Sequence, residues 1–455
     1  MQLEATITKF CPVIALHIRH PSTKYRLAAV HQAYDFALSF DNKLVIDILA
    51  RLGVTEGKVV VDPFCGTGTT LVECKRRGIR SIGIDANPVC VLIAKAKLDW
   101  DIPIAGTTNE LTEVVISYAR RFSAYAKKYN SARKRKKKYP PSQHIPFVRS
   151  TSGKYLIESG MLKRGWLSPR VALKTVLLVE AINERVQDSK IRRFFLLSLL
   201  GLVVPSISNM RYGPEIYRAT RRRDVDVIKL FRERVIENLD AVRALRTSIK
   251  VQPSAKVVLG DSVNGAIEKL GKNSVDFVIT SPPYPSEHDY TRLTRLELVL
   301  TSFVKDKHDL RAIKKRLLRC CTRNIYAEDN NEQYVKRFPS VQKLIKEIDA
   351  KAKKRSHGFA RLYGRVTGEY FGGMLLHLKK VSRVLRPGAL CAYVVGDQAS
   401  FFSVQIKTAD ILARIASSEQ CGLKKVGLVR LGSLRGTTGR RRENFEWLLI
   451  LEKES

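Results

Sequence analysis

Short β-branched runs alternate with helical stretches along much of this chain, and no other feature restricts its fold as strongly. Lys58-Val59-Val60-Val61-Asp62 reads as a buried strand, followed by a helix from about Thr69 to Arg77 that stops at Gly78. Ser81-Ile82-Gly83-Ile84-Asp85 is a second strand, with a helix from Pro88 to about Leu98. Ala255 to Leu259 and Val275 to Thr280 are strands with a helix expected between them. A helix near Tyr370–Leu385 leads through Gly388 to a strand over Ala389 to Val395. A helix over 405–417 and strands over 424–431 and 445–451 finish the chain. The pattern predicts an α/β fold: a doubly wound, seven-stranded sheet, largely parallel and covered on both faces, whose last two strands join without a helix.

Between these elements lie two segments that do not alternate, and they carry most of the charge. The 455 residues hold 81 Lys+Arg against 43 Asp+Glu, a net +38, while 44% apolar residues exclude wholesale disorder. Self-repulsion of that size calls for a polyanionic partner, and nucleic acid is the first to consider. Residues 101–250 hold 31 basic and 13 acidic side chains, and residues 301–400 hold 22 and 9. The body is nearly neutral by comparison. The expected organisation is a catalytic domain in three parts, 1–105, 251–300 and 370–455, interrupted by basic helical insertions at 106–250 and 301–369. The first insertion includes Ser131 to Lys138, with six basic residues in eight. Eight cysteines, at 11, 65, 74, 90, 320, 321, 391 and 421, form no C-x-x-C pair, so buried free thiols in a reducing compartment are expected and no metal site. No secretory signal is legible and no apolar run nears the ~18 residues of a membrane span.

Two strand ends carry chemistry. Asp62-Pro63-Phe64-Cys65-Gly66-Thr67-Gly68-Thr69-Thr70 sits where the first strand meets its helix, with glycines that allow a tight turn and close approach to a ligand. Asp85 ends the next strand, where an acid suits the two hydroxyls of a ribose. No third glycine follows at the spacing of a dinucleotide fingerprint. Thr280-Ser281-Pro282-Pro283-Tyr284 ends a later strand. There, the Ser281 side chain and the Pro282 carbonyl offer two acceptors on a backbone stiffened by proline.

The D-P-F-x-G-x-G-T form resembles the cofactor motif of S-adenosylmethionine-dependent methyltransferases that act on exocyclic amino groups of DNA bases. S-P-P-Y resembles the [DNS]-P-P-[YFW] catalytic motif of the same enzymes. The resemblance covers roughly 30–105, 250–300 and 370–455. It implies a Rossmann-like methyltransferase sheet, S-adenosylmethionine as cofactor and double-stranded DNA as partner. Asp62, Pro63, Phe64, Gly66, Gly68, Asp85 and Ala86 would bind the cofactor, with Asp261 on the adenine amino group and Ser262 beside it. An Asp261 that merely caps the following helix would look the same. Ser281, Pro282 and Pro283 would hold the target amine, and Tyr284 would stack on a base rotated out of the duplex. Tyr34 to Lys43 falls where the family has a segment closing over the methionine end, though no sharp motif marks it. Candidate DNA contacts are Arg133, Lys134, Arg135 and Lys136 in the first insertion, and Arg435, Arg440 and Arg441 in a C-terminal hairpin loop.

Serine rather than aspartate at 281 points within that family to cytosine-N4, with adenine-N6 transfer and RNA base methylation as alternatives. A catalytically silent nucleic-acid binder is disfavoured because the glycines and Pro-Pro-Tyr are all present. Cytosine-C5 chemistry would need a nucleophilic thiolate, usually in a Pro-Cys-Gln setting, and that tripeptide does not occur. The reading that follows is a cytoplasmic, nucleoid-associated, monomeric enzyme of restriction-modification, with a companion restriction endonuclease as a further partner and no membrane association.

Overall fold

The computed structural model describes residues 29–36, 38–39, 41–134, 150–213, 215–219, 221–248, 253–354, 358–433 and 444–454. Its seven-stranded sheet comprises β1 (Val59–Asp62), β2 (Arg80–Asp85), β3 (Ala255–Leu259), β4 (Val275–Thr280), β5 (Leu385–Gly396), β6 (Leu423–Ser433) and β7 (Phe445–Lys453). The spatial order is β3-β2-β1-β4-β5-β7-β6. Strands β3 to β5 pair in parallel, and β7 runs antiparallel to both of its neighbours. This is the seven-stranded, largely parallel sheet expected from the alternation, in the Rossmann-like methyltransferase arrangement that the resemblance implied.

The helices of eight or more residues are α1 (Asn42–Arg51), α2 (Thr69–Arg76), α3 (Pro88–Leu98), α4 (Ile104–Lys134), α5 (Thr151–Glu158), α6 (Pro169–Arg185), α7 (Ser189–Leu202), α8 (Val227–Ser248), α9 (Lys307–Arg316), α10 (Pro339–Lys353), α11 (Tyr363–Val384) and α12 (Thr408–Ala416). Period-two alternation decides which helices each strand residue meets. Val60, Ile279, Ala392 and Val394 share one core with Val45, Ile48 and Leu49 of α1. Their neighbours Val61, Val278, Cys391, Tyr393 and Val395 face the other way, onto Tyr370, Met374 and Leu378 of α11. A strand buried on both sides must be apolar throughout, which is why these runs read as continuous rather than alternating.

Helix α3 is apolar on two faces, with Lys95 exposed between them. Val91, Ala94 and Leu98 pack towards Leu71, Val72 and Val257. Val89, Leu92, Ile93 and Ala96 pack into a core with Phe194, Phe195 and Phe231. That core also takes in Leu296, Leu298 and Leu300, so the helices of 106–250 adjoin both the cofactor-loop helix layer and the segment after the S-P-P-Y motif.

One expected helix is absent. Between β3 and β4 the chain makes only the 3-10 turn Ile267–Leu270. The Asp261 carboxylate folds the first residues into a turn, and Gly265 and Gly271, both at positive φ, interrupt any longer helix. The seven cysteines among the described residues are buried and free; Cys11 lies outside them. Among the described residues no helix is long and apolar enough to cross a membrane.

Candidate active site

The glycine bend takes its shape from two left-handed residues. Gly66 has φ +49° and Gly68 has φ +87°, conformations that an L side chain adopts only with strain. A Cβ on Gly68 would lie 3.0 Å from that of Ala94, whereas one on Gly66 would meet nothing within 4 Å, because that backbone borders an open cleft. Beside it, the Gly66 N–H donates to Asp85 Oδ2 at 2.9 Å and the Asn87 N–H donates to Oδ1 at 2.8 Å. Burial pushes the Asp85 carboxyl up to about 6 against the pull of those two bonds.

Asp62 sits differently. It is 1% exposed and lies beneath the bend rather than on the cleft wall. Its Oδ1 accepts from Thr280 Oγ1 at 2.6 Å and from the Phe64 N–H at 3.1 Å. The bond to Thr280 joins the end of β1 to the end of β4, and so holds the glycine bend and the S-P-P-Y turn in fixed relation. Burial raises this carboxyl too, to about 6.

Both motifs open into one cleft of about 700 Å³. Phe64, Gly66, Asp85, Ala86, Asp261 and Ser262 line it together with Ser281, Pro282, Pro283 and Tyr284. Pro63 and Gly68 are not on its wall. Asp261 uses both oxygens within its own turn: Oδ1 accepts from the Val263 and Asn264 N–H groups, and Oδ2 from Asn264 Nδ2 at 2.9 Å. Ser262 is anchored by its hydroxyl, which donates to the Pro63 carbonyl. Its own carbonyl faces His377 Nδ1 at 3.1 Å, and Tyr393 Oη lies 2.9 Å from Nε2. Burial lowers His377 to about 4, so the ring is neutral and, facing a carbonyl, carries its proton on Nδ1.

The S-P-P-Y turn has partners that no motif announced. Tyr284 Oη donates to Glu446 Oε1 at 2.9 Å, and the Tyr284 N–H donates to Tyr290 Oη at 3.1 Å. Ser281 Oγ lies 3.4 Å from Tyr284 Oη. Burial raises the pKa of both Tyr284 and Glu446. Asp397, just past β5, reaches the same cleft and accepts from Trp447 Nε1 at 2.8 Å. Glu446 belongs to the reversed strand, so it comes from the start of β7 while its neighbours come from strand ends. The hairpin expected at the C-terminus was the available signal.

The segment before β1 reaches the cleft through Phe36, Leu38 and Ser39. Ser39 Oγ lies 3.1 Å from Thr67 Oγ1, which ties it to the glycine bend. Behind it, the buried Lys97 Nζ donates to the carbonyls of His31 and Tyr34 at 3.2 and 3.0 Å, and burial lowers its pKa to about 7. Tyr34 Oη donates to the buried Glu297 at 3.2 Å. Of the basic candidates, Arg133 and Lys134 close α4, whereas Arg135, Lys136, Arg435, Arg440 and Arg441 lie outside the described residues.

Sheet order and site define a methyltransferase fold with two motif-bearing strand ends on one cleft. Residues 18–96 match the model of the N6/N4 methyltransferase family, described as DNA methylase. Over nearly its whole length the chain is also similar to curated relatives. It is 22% identical to type II methyltransferase M.BsoBI of Geobacillus stearothermophilus over 437 residues, 91% of this chain and 82% of that protein. It is 22% identical to type II methyltransferase M.AvaI of Anabaena variabilis over 480 aligned positions, covering 97% and 88%. A shorter stretch of 82 residues is 44% identical to type II methyltransferase M.MjaII of Methanocaldococcus jannaschii, 18% and 15% of the two chains.

Proposed function

We propose that the protein is a type II DNA methyltransferase that moves the methyl group of S-adenosylmethionine to the N4 amine of cytosine in duplex DNA. The observation that carries this reading is the shared cleft, with the Thr280–Asp62 bond locking its two motif-bearing turns together. The residues present suit the cofactor: open space borders the Gly66 backbone, and the Asp85 carboxylate keeps lone pairs for hydroxyl donors beyond its two backbone bonds. Asp85 would hold the ribose, with Phe64, Ala86 and Asp261 around the adenine. When bound, S-adenosylmethionine supplies an electrophilic methyl group on a sulfonium.

The protein's own contribution is positioning. A cytosine amine is a weak nucleophile because its lone pair is delocalised into the ring. Tyr284 gives its hydroxyl proton to Glu446, so the Ser281 hydroxyl points its own proton towards Tyr284 Oη and leaves its lone pairs for the amine. Ser281 Oγ and the Pro282 carbonyl then accept the two amino hydrogens and favour a pyramidal nitrogen. The target base must leave the helix to reach this cleft, and the Tyr284 ring offers it a stacking face. Serine at 281 supports cytosine over adenine, and the type II relatives support a role in restriction-modification.

The test is methyl transfer from tritiated S-adenosylmethionine to duplex plasmid DNA, followed by nucleoside mass spectrometry. N4-methylcytosine is the expected product. N6-methyladenine would change the target base, and label that enters structured RNA in preference to duplex DNA would overturn the reading.

A further inference from the structure

Four carboxylates line the cleft, those of Asp85, Asp261, Asp397 and Glu446, and among the described lining residues one side chain bears a permanent positive charge, Arg316. His288 also lines it, but burial lowers its pKa and leaves it neutral. Arg316 ends α9 in the second basic insertion. Its Nε is buried without a hydrogen-bond partner, and among the described residues it joins no ion pair.

The basic residues around it are committed elsewhere. Lys314 pairs with Asp289, Lys315 with Glu328, Arg319 with Asp329, and Arg292 and Arg323 both with Glu215. An Nε–H of a guanidinium shielded from water and left unpaired is costly, and an anion arriving in the cleft relieves that cost.

Its place says which end of the cleft it serves. The chain after Arg316 lies on the turn that follows Tyr284: the Glu287 N–H donates to the Cys320 carbonyl at 3.3 Å, and the Thr322 N–H donates to Glu287 Oε2 at 2.9 Å. The glycine bend, by contrast, is covered by Ser39. The chain that follows Arg316 therefore ties it to the S-P-P-Y turn, where the proposed target nucleotide would enter.

We infer that Arg316 binds a phosphodiester flanking the target base. Arginine suits this task because its planar fork engages two phosphate oxygens at once. The second insertion then contributes directly to the active site, holding the strand while the base occupies the cleft. This inference rests on the proposed DNA substrate.

The experiment compares wild-type enzyme with Arg316→Ala on a duplex oligonucleotide whose methylated position has been mapped on plasmid DNA. A second duplex carries neutral methylphosphonates at the phosphates either side of that base. Arg316→Ala should bind the natural duplex about tenfold more weakly and lower the slope of log affinity against log salt by about one. S-adenosylmethionine affinity should be unchanged. On the methylphosphonate duplex, wild type should fall to the level of the variant, and the variant should lose little more, because both changes remove one contact. Unchanged DNA affinity, losses that multiply, or weakened cofactor binding in its place would each overturn the assignment. If the wild type transfers no methyl group to DNA at all, the functional reading fails and takes this inference with it.

Discussion

The Tyr284 hydroxyl donates to Glu446 Oε1 at 2.9 Å, so the tip of the S-P-P-Y turn is fastened to the first residues of the reversed strand β7. Glu446→Gln keeps an acceptor and should retain most turnover. Glu446→Leu removes the acceptor of the tyrosine hydroxyl and lets it turn its proton onto Ser281 Oγ, taking a lone pair meant for the amine, and should lower kcat with little change in cofactor affinity. Single-turnover methyl transfer with both variants checks this. Equal activity in the two would mean that the bond has no part in positioning.

Ser281→Ala removes one of the two acceptors for the amine and fills no new space. Cofactor affinity should hold while kcat falls about 100-fold, the usual scale for losing one preorganised polar contact. Normal turnover on duplex DNA would remove Ser281 from its assigned role.

The two glycines of the bend should respond differently to the same substitution. Gly68→Ala meets both a left-handed backbone and a Cβ contact of 3.0 Å with Ala94, and should destabilise the fold by about 2 kcal/mol or more. Gly66→Ala meets only the backbone strain, since its Cβ projects into open cleft. It should leave thermal stability closer to wild type and weaken S-adenosylmethionine instead. Melting temperature and calorimetric Kd measured on both variants separate the effects.

Cofactor binding should weaken in acid. Asp85, raised to about 6 by burial, is ionised at neutral pH and gains a proton as pH falls through that value. The ionised form is the better acceptor for ribose hydroxyls, so the proton and the ligand compete. Kd for S-adenosylmethionine should rise from pH 7.5 to pH 5, approaching tenfold per unit below 6. Asp85→Asn should bind weakly with a flatter profile. Asp62 titrates over the same range in both proteins, so the difference between the profiles reports Asp85.

DNA affinity should depend steeply on salt. With a net charge of +38 concentrated in two segments, several Lys and Arg should release counterions on binding, giving a linear fall of log affinity with log salt. A flat dependence between low and moderate salt would assign the charge to another partner.

Much of this architecture was legible because buried parallel strands have a simple signature. Val59 to Asp62 and Val275 to Thr280 are short β-branched runs that end on Asp62 and Thr280, just before the two turns that line the cleft, and both strands form over those runs. What escaped reading depends on pairing between distant segments. The helix expected after β3 gave way to a turn because Asp261 spends both oxygens on it, the capping alternative that the sequence had left open. Asp62 resembles a ligand-facing acid in its motif, yet its bond to Thr280 crosses 218 residues of chain. Glu446 and Arg316 belong to no motif, and only the folded chain puts them beside Tyr284 or on the same wall.

Because β7 runs against its neighbours, the chain enters that strand at the rim where the others leave theirs. Residues 434–443, the basic connection from β6, therefore end one position before Asn444 and three before Glu446, which both line the cleft. On the proposed DNA substrate, the basic residues that would grip a duplex from this connection directly precede in sequence the carboxylate that holds Tyr284, so binding there would bear on the alignment of the reacting amine.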